Sequence, residues 1–202
     1  MRVTPGRPRQ LTVDQIIDAV LAEGLATFSM PQIAKRLGVA HSGLYRYVDS
    51  REHLLVLAMD RIAREADWPS TELSWREEIT AIGETLWTLC ESYPGYAIAA
   101  VSARNVSPGF VERLTPHVES LHRHGLDLVD ATAAIDFIRT LVLNSSIDAA
   151  RLQALATEED APEHTIPGFQ DPEKWSGRSW YQRHLDTHLD GLALRLRPLP
   201  EA

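Results

Sequence analysis

Apolar residues in this chain return at the spacing of one face of an α-helix, and no stretch alternates in the manner of a strand. Val13, Ile16, Ile17, Val20 and Leu21 follow i, i+3, i+4, i+7, i+8, a single apolar stripe. Thr12 stands where a helix cap belongs, Gln15 completes a capping box, and Leu11 and Ile16 are placed as a hydrophobic staple. Gly24 ends the segment, glycine being the residue that takes the left-handed conformation without strain. The same grammar recurs at Ser29 and Gln32, with Phe28 and Ile33 as staple and Pro31 in the first turn. Ile33, Ala34 and Leu37 follow, then Gly38, then a short segment from His41 to Val48. Ser50 caps a further helix bearing Leu54, Leu55, Leu57, Ala58 and Ile62.

Asp67-Trp68-Pro69-Ser70 reads as a joint. Beyond it, Ser74 with Glu77 opens a long helix to about Ser92, which Tyr93-Pro94-Gly95 breaks. A short helix over about Tyr96–Arg104 comes next. Ser107-Pro108 begins another that ends near His124-Gly125. Asp127 or Asp130 begins a long apolar helix with Ala131, Ala134, Ile135, Ile138, Leu141 and Val142. Residues 157–176, acidic and rich in Pro and Gly, read as a loose excursion. Ser179 with Gln182 caps a last helix carrying Leu185, Leu189, Leu192, Ala193 and Leu196. The chain is expected to be all-α.

Charge is distributed unevenly. Residues 1–65 hold nine Lys and Arg against seven Asp and Glu, while the remainder holds eleven against twenty-one, within a total of −8. A cationic end on an acidic body suits a polyanion bound at one end, or else a solvated tail. No apolar run approaches the ~18 residues of a membrane span, and the basic N-terminus lacks the apolar core of a secretory signal. One cysteine, Cys90, excludes an intramolecular disulfide framework and a cysteine-rich zinc site. These features point to a cytoplasmic protein.

Residues 29–48, SMPQIAKRLGVAHSGLYRYV, carry the functional signal. A helix-turn-helix needs a small residue where its helices cross, and Ala34 supplies it. It needs a glycine in the turn four residues later, and Gly38 is there. Ile33, Leu37, Val39 and Leu44 tie the helices together. The second helix then presents His41, Ser42 and Gly43, all small or able to hydrogen-bond, to a major groove that admits one helix. Tyr45, Tyr47 and Arg51 lie on the flank, where a phenol or guanidinium reaches phosphate oxygens. The helix start at Ser29 offers N–H groups to another phosphate. The plainer alternative is that the tyrosines pack the small domain and that Lys35 and Arg36 are solvated charges.

Ile33-Ala34-Lys35-Arg36-Leu37-Gly38-Val39, Leu44-Tyr45-Arg46-Tyr47-Val48 and Arg51-Glu52-His53-Leu54-Leu55 resemble, in order and spacing, the DNA-binding domain of the TetR family. The remainder is similar more loosely to the tetracycline-repressor branch through Ser74-Trp75, Tyr93-Pro94-Gly95 and Leu189-Asp190-Gly191-Leu192. The resemblance implies a homodimer on a palindromic operator, released when a small molecule enters the C-terminal domain. It places His41, Ser42, Gly43, Tyr45, Tyr47 and Arg51 where the family contacts DNA. Arg7 and Arg9, in the arm from Arg2 to Arg9, resemble extensions that other members lay in the minor groove. The family often has Thr at the position of Met30, whose side chain carries no hydroxyl for a phosphate. The expected layout is a basic arm over 1–10 and a three-helix N-terminal helix-turn-helix domain over 11–66. A larger helical ligand-binding and dimerisation domain follows over 67–202.

In that second domain, Trp87, Cys90, Tyr93, Tyr96, Phe110 and Phe137, with Arg104, His117 and Asn144 among them, are candidates to line a mostly apolar ligand cavity. Core packing is the competing role for each aromatic. Tetracycline with magnesium is not the expected ligand, because Ala97-Ile98-Ala99-Ala100 stands where the resemblance places a histidine. The stripes carrying Ile135, Ile138, Val142, Leu185, Leu189, Leu192 and Leu196 are expected to pair with their copies as a four-helix interface, unless they are monomer core. Two recognition helices would then meet half-sites about one DNA turn apart. His184 and His188, and separately His117, His122 and His124, lack a third ligand at metal spacing, and neither a metal nor another cofactor is expected. Cys90 has no basic neighbour that would make it reactive. No nucleophile–base motif or phosphate-cradling loop suggests an enzyme. A ligand-responsive repressor is the leading reading, and a constitutive or architectural DNA binder the alternative.

Overall fold

The computed structural model describes residues 11–155 and 177–196, and within them every regular element is a helix. The expected arm and the segment 157–176 lie outside the described residues, Arg7 and Arg9 included. Four helices form the N-terminal part: α1 (Val13–Glu23), α2 (Met30–Leu37), α3 (His41–Leu44) and α4 (Arg51–Glu65). Thr12 and Gln15 close the predicted capping box on α1, and Ser29 and Ser50 cap α2 and α4. Gly38 takes the left-handed conformation, φ 66°, that turns α2 into α3. Ile16, Ile33, Leu44 and Leu54 are fully buried between these helices. Truncating any one would cost ~2–5 kcal/mol. Met30 joins this core, which accounts for an apolar side chain at that position.

The second part comprises α5 (Trp75–Ser92), α6 (Tyr96–Ser102), α7 (Pro108–Arg123), α8 (Leu128–Leu155) and α9 (Gly177–Arg195). Ser74 and Glu77 form the second capping box, and the Asp127 carboxylate accepts from the Asp130 N–H at the start of α8. The last helix begins at Gly177, two residues ahead of Ser179, so Ser179 lies inside it.

Two seams join the parts. At the first, Pro94 O accepts from Leu25 N–H (3.1 Å), and Gly95, φ 80°, lies so close to Ala26 that a Cβ there would come within 2.8 Å of its backbone N. At the second, the Asp60 carboxylate of α4 accepts from Gly109 N–H (2.5 Å), Arg64 pairs with Glu112, and Arg113 donates to Arg64 O. The core respects no boundary at residue 66: Leu89, Tyr96, Ala99 and Leu143 pack into the same cluster as α1–α4.

The stripe expected to form a dimer seam lies inside the single chain. Ile135, Ile138, Val142, Leu185, Leu189 and Leu192 are between 0% and 6% exposed within a single chain, and Leu196 packs against the same core. Helices α5, α7, α8 and α9 bury them against one another, so they are monomer core. The outer faces of α8 and α9 instead carry Asp130, Ala133, Phe137, His184, Thr187, Gly191 and Arg195.

Candidate functional site

Helix α3 is a single turn, His41–Leu44, followed by a turn in which Tyr47 and Val48 N–H both bond Leu44 O. Leu44 is buried, which fixes which way the turn faces, and His41 and Ser42 stand exposed on the other side. A Cβ built on Gly43 meets nothing within 4 Å, so the fold itself makes no demand for glycine there. Tyr45 is 48% exposed and stands edge-on to the His41 imidazole, with ring centroids 5.3 Å apart. Tyr47 is half-buried against the domain core, so its ring takes part in packing. Ser29 caps α2 through Gln32 N–H and donates its hydroxyl to Gln32 Oε1 (2.6 Å). Lys35 is exposed, whereas Arg36 pairs with Glu23 at 2.8 Å. Arg46, which the sequence reading did not single out, is exposed beside Tyr45 and pairs with no described acid.

Arg51 departs from the expectation of a free phosphate-seeking side chain. Its guanidinium turns inward: Nε donates to Phe28 O (2.9 Å) and Nη2 to Ala26 O (3.2 Å) and Leu25 O (3.5 Å). It also lies 4.3 Å over the centre of the Phe28 ring. These carbonyls belong to the α1–α2 connection, which no helix ladder satisfies, and Arg51 of α4 clamps it.

A cavity of about 180 Å³ lies between α4, α6, α7 and α8. Of the residues expected to line such a space, Tyr96, Arg104 and Phe110 do so. The others are elsewhere. Trp87 is buried with its ring stacked on Tyr181 (5.2 Å) and its Nε1–H on Glu91 (2.7 Å). His117 is buried against Glu78, Nδ1 to Oε1 2.6 Å, and the other Glu78 oxygen accepts from Ser120 (2.8 Å). Cys90 and Tyr93 pack at the edge of the N-terminal core, and burial pushes the Cys90 thiol up to about 11 against a hydrogen bond with Ser146. Phe137 and Asn144 are exposed on α8. Met59, Leu86, Val106, Arg139 and Leu143, not expected from the sequence, line the cavity as well. Arg139 had a visible signal, a cation set between Ile138 and Val142 in an apolar stripe.

On the outer faces of α8 and α9, Phe137 is 43% exposed and stacks on His188 at 4.1 Å. Burial lowers the His188 pKa, and Arg195 adds to that. His184 packs against Trp180. Among the described residues no three His, Cys, Asp or Glu side chains are grouped to hold a metal ion, and no helix is long and apolar enough to cross a membrane.

The geometry defines an all-α molecule with a helix-turn-helix unit at one end and a cavity-bearing helical body welded to it. Residues 13–59 match the model of bacterial regulatory proteins of the tetR family. The match covers the helix-turn-helix unit, α1 to most of α4. It is 28% identical over 180 residues to the HTH-type transcriptional repressor DrrR1 of Streptomyces coeruleorubidus, covering 86% of this chain and 64% of that protein's length. The Streptomyces coelicolor TetR family protein ActR, solved in complex with actinorhodin, superposes with a TM-score of 0.74 at 22% identity, over 93% of this chain and 97% of that one. BioQ, solved with its double-stranded DNA operator, superposes at 0.70 and 22% identity, over 92% and 99%. At these identities the two structures establish the fold.

Proposed function

We propose that this protein is a ligand-responsive transcriptional repressor that acts as a homodimer on a palindromic operator. The observation that carries the reading is the position of the cavity. Met59 of α4, the helix that holds the N-terminal domain, and Phe110 of α7 are walls of the same space. A molecule bound there touches both parts of the protein, so its binding energy differs between any two arrangements of those parts, which is the requirement for a ligand to shift DNA affinity. His41, Ser42 and Gly43 meet base edges, while Tyr45 and the N–H groups after Ser29 meet phosphates. Arg46 joins the phosphate set. Similarity to the repressor DrrR1, and the fold shared with ActR bound to actinorhodin and BioQ bound to its operator, support the same assignment.

Two chains meet through the outer faces of α8 and α9, where Ala133, Thr187 and Gly191 are small enough for close helix approach and Phe137 with His188 forms the apolar centre. The test is fluorescence anisotropy on DNA fragments recovered from the source genome, with light scattering to count chains. The expected result is two chains per palindrome, steep weakening with salt, and release by a compound that binds the protein. A monomer on DNA, or DNA binding that no bound compound alters, overturns the reading; the latter outcome is the constitutive binder.

A further inference from the structure

The cavity carries a charge pattern opposite to that of the body around it. Residues 66–202 hold nearly twice as many acids as Lys and Arg, yet no acidic side chain lines the cavity and two arginines do, Arg104 and Arg139. Arg104, exposed in the segment between α6 and α7, forms no hydrogen bond or ion pair with any described residue. Arg139 reaches in from α8 with its side chain 29% exposed. One oxygen of the more exposed Asp136 takes its Nε and Nη2 donors, at 3.1 and 2.8 Å. A guanidinium has five N–H donors, so donors remain.

A third group points to the same ligand chemistry. Tyr96 is 2% exposed and lines the cavity, and its hydroxyl bonds to no described residue. Burial holds this phenol well above its ordinary pKa, with the Arg139 charge pulling the other way, so it is an O–H donor at neutral pH. Leu86, Val106, Phe110 and Leu143 supply apolar wall around these groups, with Asn105 and Ser107 as its neutral polar members. Val106, Phe110 and Arg139 also border a shallower groove of about 390 Å³ between α7 and α8, which leaves room for a molecule longer than the cavity.

We infer that this cavity takes an aromatic carboxylic acid, its flat apolar body between Phe110 and Leu143 and its carboxylate held by Arg104 and Arg139 with the Tyr96 hydroxyl donating to the same end. The inference deepens the effector-controlled reading and rests on it for biological meaning. A guanidinium fork matches a carboxylate with two parallel hydrogen bonds, a fit that neither an amide nor an ammonium reproduces.

The experiment titrates the full chain by calorimetry with 2-naphthoate, 2-naphthamide and 2-naphthylmethylammonium. It is repeated on Arg104→Gln, Arg139→Gln and the exposed control Arg123→Gln, with circular dichroism melting to establish that each folds. Naphthoate is expected to bind at least about tenfold more tightly than the amide and the ammonium. Each cavity substitution is expected to cost naphthoate about tenfold, or about 1.4 kcal/mol, while leaving the amide unmoved, and Arg123→Gln to change nothing. Equal affinities across the series, no binding at millimolar concentration, or an anion preference that survives both cavity substitutions would overturn the assignment. Operator anisotropy on the same samples separates the two claims. Selective naphthoate binding that leaves the DNA complex intact at saturation supports the acid-binding cavity and refutes effector control.

Discussion

Replacing Arg51 by lysine keeps the charge and removes the fork, and so separates a clamp from a phosphate contact. In the structure Arg51 makes two well-formed hydrogen bonds to backbone carbonyls, at 2.9 and 3.2 Å, a third at the distance limit, and a stack over Phe28. Bonds to a charged donor are worth ~1.5–3 kcal/mol each in favourable settings, and the site is only half-buried. A lysine ammonium recovers one of the carbonyls and loses the planar stack. The net loss is about 2 kcal/mol, which for a chain of this size lowers the melting temperature by about 4–8 °C. The assay is thermal unfolding by circular dichroism, paired with operator binding measured across a salt series well below the melt. The salt slope is expected to stay within experimental scatter of the unsubstituted protein, because lysine keeps the charge, so the melt is the readout that decides. A melting temperature unchanged within about 1 °C would refute the clamp and restore Arg51 to the DNA, since a phosphate contact tolerates lysine and a fork over three carbonyls does not.

Three further outcomes follow from other particulars of the fold. Gly95→Ala places a Cβ against the Ala26 backbone in a left-handed conformation; it should cost about 3 kcal/mol, and an unchanged melting temperature would contradict the seam. Tyr181→Phe removes a buried hydroxyl that has no hydrogen-bond partner among the described residues and fills the space a Cβ on Gly83 would need, so it should raise stability by about 1 kcal/mol, whereas a lower melting temperature would show that the hydroxyl is satisfied. His188 has its pKa lowered by burial and by Arg195. The unfolded chain therefore binds the extra proton first, and the stability His188 contributes, full above about pH 6.5, is lost as pH falls toward the folded value. Melting profiles of the wild type and His188→Asn should diverge only below that pH, and parallel profiles would exclude the effect.

The helices were legible because their ends announce themselves locally. Thr12 with Gln15, Ser74 with Glu77 and Gly38 after Leu37 each act within one turn of chain, and the structure uses all of them as caps or turns. The helix-turn-helix was legible for the same reason, since Ala34, Gly38 and Leu44 lie close in sequence. What could not be read was which neighbour each stripe meets. Ile138 and Leu189 have the periodicity of a buried face, and periodicity is identical whether the burying surface is α5 of the same chain or a second copy. The cavity was legible only in part because its walls come from residues 59 to 143, brought together by packing that no local spacing records. Arg51 misled for a related reason: its place beside the recognition segment is fixed by sequence, but the carbonyls it satisfies lie more than twenty residues earlier.

The two seams and the cavity form one mechanical arrangement. One seam fixes the α1–α2 connection to the start of α6, through Leu25, Ala26, Pro94 and Gly95. The other fixes α4 to the start of α7, through Asp60, Arg64, Gly109 and Glu112. Tyr96, at the first seam, and Phe110, just past the second, both line the cavity, so its opposite walls are the ends of the two attachments that hold the helix-turn-helix in place. Close packing leaves such walls few intermediate positions, since a Cβ at Gly109 or Gly95 already collides with backbone across the seam. On the proposed reading, a ligand that occupies the cavity acts on both attachments at once, and the free energy available to move α3 is bounded by the difference in its affinity for the two arrangements. On the same reading, Arg104 and Arg139 are the wall positions at which ligand chemistry bears on this arrangement, sixty and ninety-five residues beyond Leu44 of α3 in sequence.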